Sequence, residues 1–143
     1  MLIAHVLRDK GAKVHTLPLN ATLQQAAEEL YARRVGALVV IDAEGVLIGV
    51  FSERDLAREI ARHGDSSLSA EIGAAMTREV ITAHPDETID DCLSRMTDRR
   101  VRHLPVMDEG RLVGIVSIGD LVKQRIAAVE AEAAAMQAYI TTH

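Results

Sequence analysis

The sequence predicts a mixed α/β fold: two tandem β-α-β-β-α repeats packed as one pseudo-twofold pair, followed by a C-terminal helix. Three observations predict it. The chain of 143 residues is written twice over most of its length. Each copy alternates short apolar runs with helical periodicity. A half of about 60 residues is marginal alone, so burying one copy against the other is the expected solution.

An offset of 66 brings Val14 to Asp42 onto Val80 to Asp108, and an offset of 65 then brings Gly45 to Leu56 onto Gly110 to Leu121. Identities include Thr22/Thr88, Arg33/Arg99, Arg34/Arg100, Gly49/Gly114, Ser52/Ser117 and Asp55/Asp120. Two copies cannot make a solenoid, so the halves read as homologous repeats.

In each copy a β-prone run (Val14 to Leu17; Val80 to Ala83) leads to Thr22 or Thr88, each an N-cap residue type. Leu23, Ala26, Ala27, Leu30 and Tyr31 then mark one face of a helix, and Ile89, Cys92, Leu93 and Met96 mark the same face in copy two. Paired apolar runs around the turns at Asp42 to Gly45 and Asp108 to Gly110 read as hairpins. Pro105 places its strand at an edge or a bulge, because proline cannot donate to a ladder. A second helix begins at Ser52 or Ser117. Ile3 to Leu7 leads into copy one as Ile72 to Met76 leads into copy two. The expected boundaries are 1–61 for the first repeat with its N-terminal helix, 62–70 for a linker, 71–124 for the second repeat and 125–143 for a helical tail. In that tail Val122, Ile126, Val129, Ala133, Met136 and Ile140 form an a/d seam that, at little over two heptads and with small Ala133 at one site, is too short and weak for an autonomous coiled coil and is to be covered by the chain's own repeats or by a dimer partner.

Composition excludes several functions. Sixteen Lys+Arg against 21 Asp+Glu give a net charge of −5, and aromatics are 2% of the chain, so nucleic acid is not an expected partner. No segment reaches the ~18 consecutive apolar residues of a membrane span, and the N-terminus is not a secretory signal, so the cytoplasm is the expected location. Cys92 has no second thiol, and the six His show no zinc-hydrolase spacing. No Walker or dinucleotide-binding glycine motif occurs.

The strongest chemical signal is Gly49-Val50-Phe51-Ser52-Glu53-Arg54-Asp55, repeated as Gly114-Ile115-Val116-Ser117-Ile118-Gly119-Asp120. A hydroxyl and a carboxylate three apart, where a strand becomes a helix, suit a nucleotide. Helix-end amides and the Ser face phosphate, and the Asp accepts from ribose hydroxyls. The competing reading is that Ser-x-x-Asp is only a capping box. Arg54 is expected to serve one site and Arg102 or His103 the other, against the reading that these are solvated cations; Arg33-Arg34 and Arg99-Arg100 read as helix-end charges. Protonation of His103 near its ordinary pKa of ~6.5 would strengthen phosphate binding at the second site between pH ~7.5 and ~6.

Together with Ala75-Met76-Thr77-Arg78-Glu79-Val80 and Arg100-Val101-Arg102-His103-Leu104-Pro105-Val106, these motifs make the chain resemble a cystathionine-β-synthase-type (CBS) domain pair over roughly residues 1–125. The resemblance is strongest to small stand-alone bacterial pairs. It implies two clefts for adenosine compounds (AMP, ADP, ATP, NAD(H) or S-adenosylmethionine), with Asp55 and Asp120 on ribose and Ser52 and Ser117 toward phosphate. It also lends the backbone around Thr16, Thr82, Gly36-Ala37 and His103-Pro105 as adenine and sugar contacts. The expected function is a non-catalytic sensor, homodimeric, that signals nucleotide occupancy to a regulated protein. A ligand-independent scaffold is the alternative, and an enzyme stands further back.

Overall fold

The computed structural model describes residues 1–142; His143, the end of the expected tail, lies outside the described residues. The elements run α1 (Ile3–Lys10), β1 (Thr16–Pro18), α2 (Leu23–Arg33), β2 (Ala37–Ile41), β3 (Leu47–Ser52), α3 (Glu53–His63), α4 (Ile89–Arg99), β4 (His103–Asp108), β5 (Arg111–Ser117) and α5 (Ile118–Thr142). The expected linker is ordered: α3 extends to His63 and a 3-10 helix covers Gly64–Ser69. The predicted caps form. Thr22 Oγ1 accepts from the Gln25 amide, and Thr88 Oγ1 from the Asp91 amide, each at 3.1 Å.

The sheets are unequal. In copy one β1 runs parallel to β2, which pairs antiparallel with β3; in copy two β4 and β5 pair alone. The expected strand at Val80 to Ala83 is reduced to one bridge, Ala83 to Val106. The Val39 amide donates to the His15 carbonyl at 3.1 Å. Its counterpart in copy two is Pro105, which has no N–H to offer Ile81. Pro105 does lie beside a bulge, at Val106/Met107, and the same bulge recurs at Val40/Ile41.

The two repeats exchange their lead-in segments. Ile3, Val6 and Leu7 of α1 are buried with Ile89, Cys92, Met96, Leu104, Val116 and Leu121 of copy two. Ile72, Ala75 and Met76 are buried with Leu23, Leu30, Leu38 and Phe51 of copy one. The N-terminal helix, grouped by sequence order with the first repeat, thus completes the core of the second. The motif glycines make the exchange possible. A Cβ on Gly49 would lie 2.6 Å from Met76 Sδ, and one on Gly114 would lie 2.7 Å from Leu7 Cδ2. Val50 and Thr77 also exchange amide hydrogen bonds of 3.0 and 2.9 Å, laying the second lead-in along β3.

α5 is continuous for 25 residues. Beyond Gln124 all of its described residues are exposed, and an Arg125–Asp90 ion pair of 3.2 Å ties it to its own repeat. The seam is therefore not covered by the chain's own repeats. Among the described residues, no helix is long and apolar enough to cross a membrane.

Candidate functional site

The exchange creates two clefts that share one wall. The first, about 300 Å³, lies between Thr77 to Ile81, the turn at Arg100 to His103, and the start of α3 with Ser52, Arg54 and Asp55. The second, about 400 Å³, lies between Gly11 to His15, the turn at Arg34 to Ala37, and the start of α5 with Ser117 and Asp120. Each cleft therefore takes its lead-in and helix-end turn from one copy and its Ser/Asp pair from the other.

At the first cleft the Ser52 amide donates to Asp55 Oδ2 at 2.9 Å, and the Asp55 amide donates to Ser52 Oγ at 3.3 Å. Arg58 Nη1 donates to Asp55 Oδ1 at 3.0 Å, while its Nη2 holds the Ala75 carbonyl at 2.9 Å. Asp55 is 4% exposed. The capping box is real, and the carboxylate also anchors the exchanged segment through Arg58. The Glu53 amide donates to the Gly36 carbonyl at 3.0 Å, so internal acceptors use two of the helix-end donors that the sequence offers to an anion.

At the second cleft the Ser117 amide donates to Asp120 Oδ2 at 2.8 Å, and the Asp120 amide returns to Ser117 Oγ at 3.1 Å. Lys10 Nζ lies 2.8 Å from Asp120 Oδ2 and donates to the Ile115 carbonyl at 2.7 Å. Burial pushes the Asp120 carboxyl up, but hydrogen bonds from Lys10 and Ser117 outweigh it and hold its pKa below the usual aspartate value. This carboxylate is more open than that of Asp55, with 27% of its side chain exposed against 5%.

The predicted division of basic groups is corrected. Arg54 and Arg102 line the same first cleft, with Arg58 and Arg100 and against Glu53 and Glu79. The cations of the second cleft are Lys10, Lys13 and Arg34. Sequence reasoning missed Lys10, Lys13 and Arg58, and took Arg34 and Arg100 only as helix-end charges. Both arginines cap their helices in the left-handed conformation, each with φ 55°, and that conformation accompanies their place on the cleft walls. The 66-residue offset could have flagged Lys13, because it sets that lysine against Glu79.

His103 lines both clefts. A Cβ on Gly36 would meet its Cε1 and Nε2 at 3.0 Å, so the missing side chain at Gly36 is what lets the ring lie there. Burial lowers the His103 pKa below 6.5, with Glu53 and Asp120 opposing. Protonation therefore begins at lower pH than an unburied imidazole would show. Ala37 lines the second cleft. Thr16, Thr82 and Pro105 line neither cleft: Thr16 pairs with Val39, the Thr82 carbonyl accepts from Arg95 Nη1 at 2.8 Å, and the Pro105 carbonyl accepts from the Ala83 amide at 2.9 Å. Val14, His15, Val80 and Ile81 take the wall positions instead.

The CBS domain family matches the chain twice, at residues 6–62 and 70–126. Among solved structures, the CBS-domain containing protein ATU1752 from Agrobacterium tumefaciens is 42% identical with a TM-score of 0.85, over 87% of this chain and 92% of that one. The CBS domain pair of protein MJ0100, in complex with 5-methylthioadenosine and S-adenosyl-L-methionine, is 29% identical with a TM-score of 0.80, covering 90% and 98%. PAE2072 from Pyrobaculum aerophilum, complexed with AMP, is 28% identical with a TM-score of 0.79, covering 91% and 97%.

Proposed function

Because the chain belongs to the CBS domain family and carries the domain twice, we propose that it is a non-catalytic sensor that binds adenosine nucleotides in its two clefts. Occupancy is signalled to a regulated protein by a homodimer. The observation that carries this reading is the duplication of a Ser/Asp pair at a helix start, each facing a basic wall built from the other copy. The ligands of MJ0100 and PAE2072 support it, since all three contain an adenosine moiety. AMP, ADP, ATP, NAD(H) and S-adenosylmethionine are the candidates. In the second cleft Asp120 accepts ribose hydroxyls, while Lys13 and Arg34 face phosphate or another anionic group. In the first, Arg54 and Arg102 take the phosphate role. Repeats over 1–61 and 71–124 supply the clefts, and the compartment is the cytoplasm.

Calorimetry against these nucleotides tests the reading, with Asp120→Ala as the control that removes the second site. Absence of heat with every candidate overturns it. One observation favours the scaffold reading at the first cleft: both Asp55 oxygens already accept hydrogen bonds from Ser52 and Arg58. One site per chain, abolished by Asp120→Ala, would assign the first cleft to that structural role.

A further inference from the structure

We infer that a second copy of this chain docks on the exposed face of α5, with the two helices antiparallel and Ile126 of each against Val129 of the other. The inference rests on the homodimer in the reading above and specifies its surface. Val122, Ile126, Val129, Met136 and Ile140 lie on one face, each at least 42% exposed. Their spacing of four and three residues is the a/d repeat of a two-helix seam. From Val122 to Met136 the stripe that the partner helix covers in this register spans roughly 21 Å at 1.5 Å per residue.

Charge selects a second copy and favours the antiparallel direction, which makes four unlike pairs where a parallel pair, with Arg125 against Glu130, makes two. Lys123 and Arg125 flank the seam on its N-terminal side, and Glu130 and Glu132 flank it on the C-terminal side. In an antiparallel pair centred between Ile126 and Val129, Lys123 of each chain faces Glu130 of the other, and Arg125 faces Glu132. The four unlike pairs come from one self-complementary surface, as a twofold interface requires. Arg125 holds Asp90 in its own chain through Nη1, which leaves other guanidinium donors for the partner.

Packing agrees with the same register. It sets Val122 against Ala133, pairing large with small, whereas a parallel pair would stack Ala133 on Ala133 and leave a gap. It also brings Met136 over Gly119 of the other copy. Around Gly119 there is room: a Cβ there would find only Ser117 Oγ within 4 Å, at 3.7 Å.

The test uses full-length chains at low salt. Lys123→Glu/Arg125→Glu makes all four flanking positions acidic, and Glu130→Lys/Glu132→Lys makes them all basic. Each variant alone should dimerise at least about tenfold more weakly than wild type by sedimentation, and an equimolar mixture should recover a dimer of one chain of each kind. Orientation is read by oxidising Ile126→Cys mixed with Val129→Cys, and the mixed disulfide should dominate. Cys92, buried with its thiol pKa pushed up to about 11, does not compete. A wild type that is monomeric at all concentrations overturns both this docking and the homodimer. A dimer that persists in both charge variants overturns the docking alone, and a predominant Ile126→Cys self-disulfide overturns the antiparallel register. Nucleotide titration of the same samples reports separately on the ligand-binding reading.

Discussion

The Lys10 ammonium lies 2.8 Å from the Asp120 carboxylate, joining the last turn of the first helix to the first turn of the last one. The contact exists because α1 crosses to the second repeat. It places a cation from the N-terminus on a carboxylate 110 residues away that no local motif could have paired with it.

Lys10→Met should cost at most about 1 kcal/mol at neutral pH, since both side chains remain partly exposed. The Asp120 pKa is held below its unfolded value, so this stabilisation is present above pH ~4 and is lost as pH falls through the lowered folded pKa. Urea denaturation of wild type and variant should show a gap at pH 7 that narrows as pH falls below ~4. A gap that is unchanged in acid would refute the assignment.

Removal of the two cleft aspartates should be unequal. Asp120→Ala loses a cap and a partly exposed ion pair, about 1 kcal/mol. Asp55 is buried and ties α3 through Arg58 to the segment inserted from the second repeat, so Asp55→Ala should cost about 2–3 kcal/mol. Equal denaturation midpoints for the two variants would contradict the anchoring role of Asp55.

Gly36→Ala should disturb both clefts at once, because its Cβ would press on the His103 ring at 3.0 Å. The ring is a movable side chain, so the stability cost belongs at the low end of overpacking, about 1 kcal/mol. Calorimetry should register altered nucleotide binding at each site that wild type possesses. Unaltered binding would show that the ring position is irrelevant to both.

His103 has its folded pKa lowered by burial, so the unfolded chain binds the proton more readily. Stability is therefore full above pH ~6.5 and declines as pH falls below that value, and His103→Gln should flatten the decline. Thermal melts between pH ~7.5 and ~5 test the sign. A bound phosphate would favour the imidazolium, so phosphate affinity should rise chiefly below pH ~6.5, later than an unburied histidine would show.

Pro105→Val should supply the amide that copy one uses at Val39 to reach the His15 carbonyl. The introduced N–H is expected to bond the Ile81 carbonyl and to exchange slowly with deuterium. Rapid exchange there would mean that something other than proline keeps the segment at Val80 to Ala83 out of the sheet.

Local signals in the sequence specify the number of repeats, their capped helix starts, the continuous tail helix and the order of the elements, save the strand expected at Val80 to Ala83. Those signals are a 66-residue offset, apolar periods of two and 3.6 residues, and Thr or Ser three places before Gln or Asp. The Ser/Asp pairs at cleft walls were legible for the same reason. Long-range packing sets which lead-in completes which core, and hence that Arg54 and Arg102 share a cleft while Lys10 meets Asp120. Homologous segments offer either repeat much the same apolar face, so periodicity cannot distinguish self-packing from exchange. What selects the partner is long-range: Leu7 over Gly114, Met76 over Gly49, and a chain path that lets both close together.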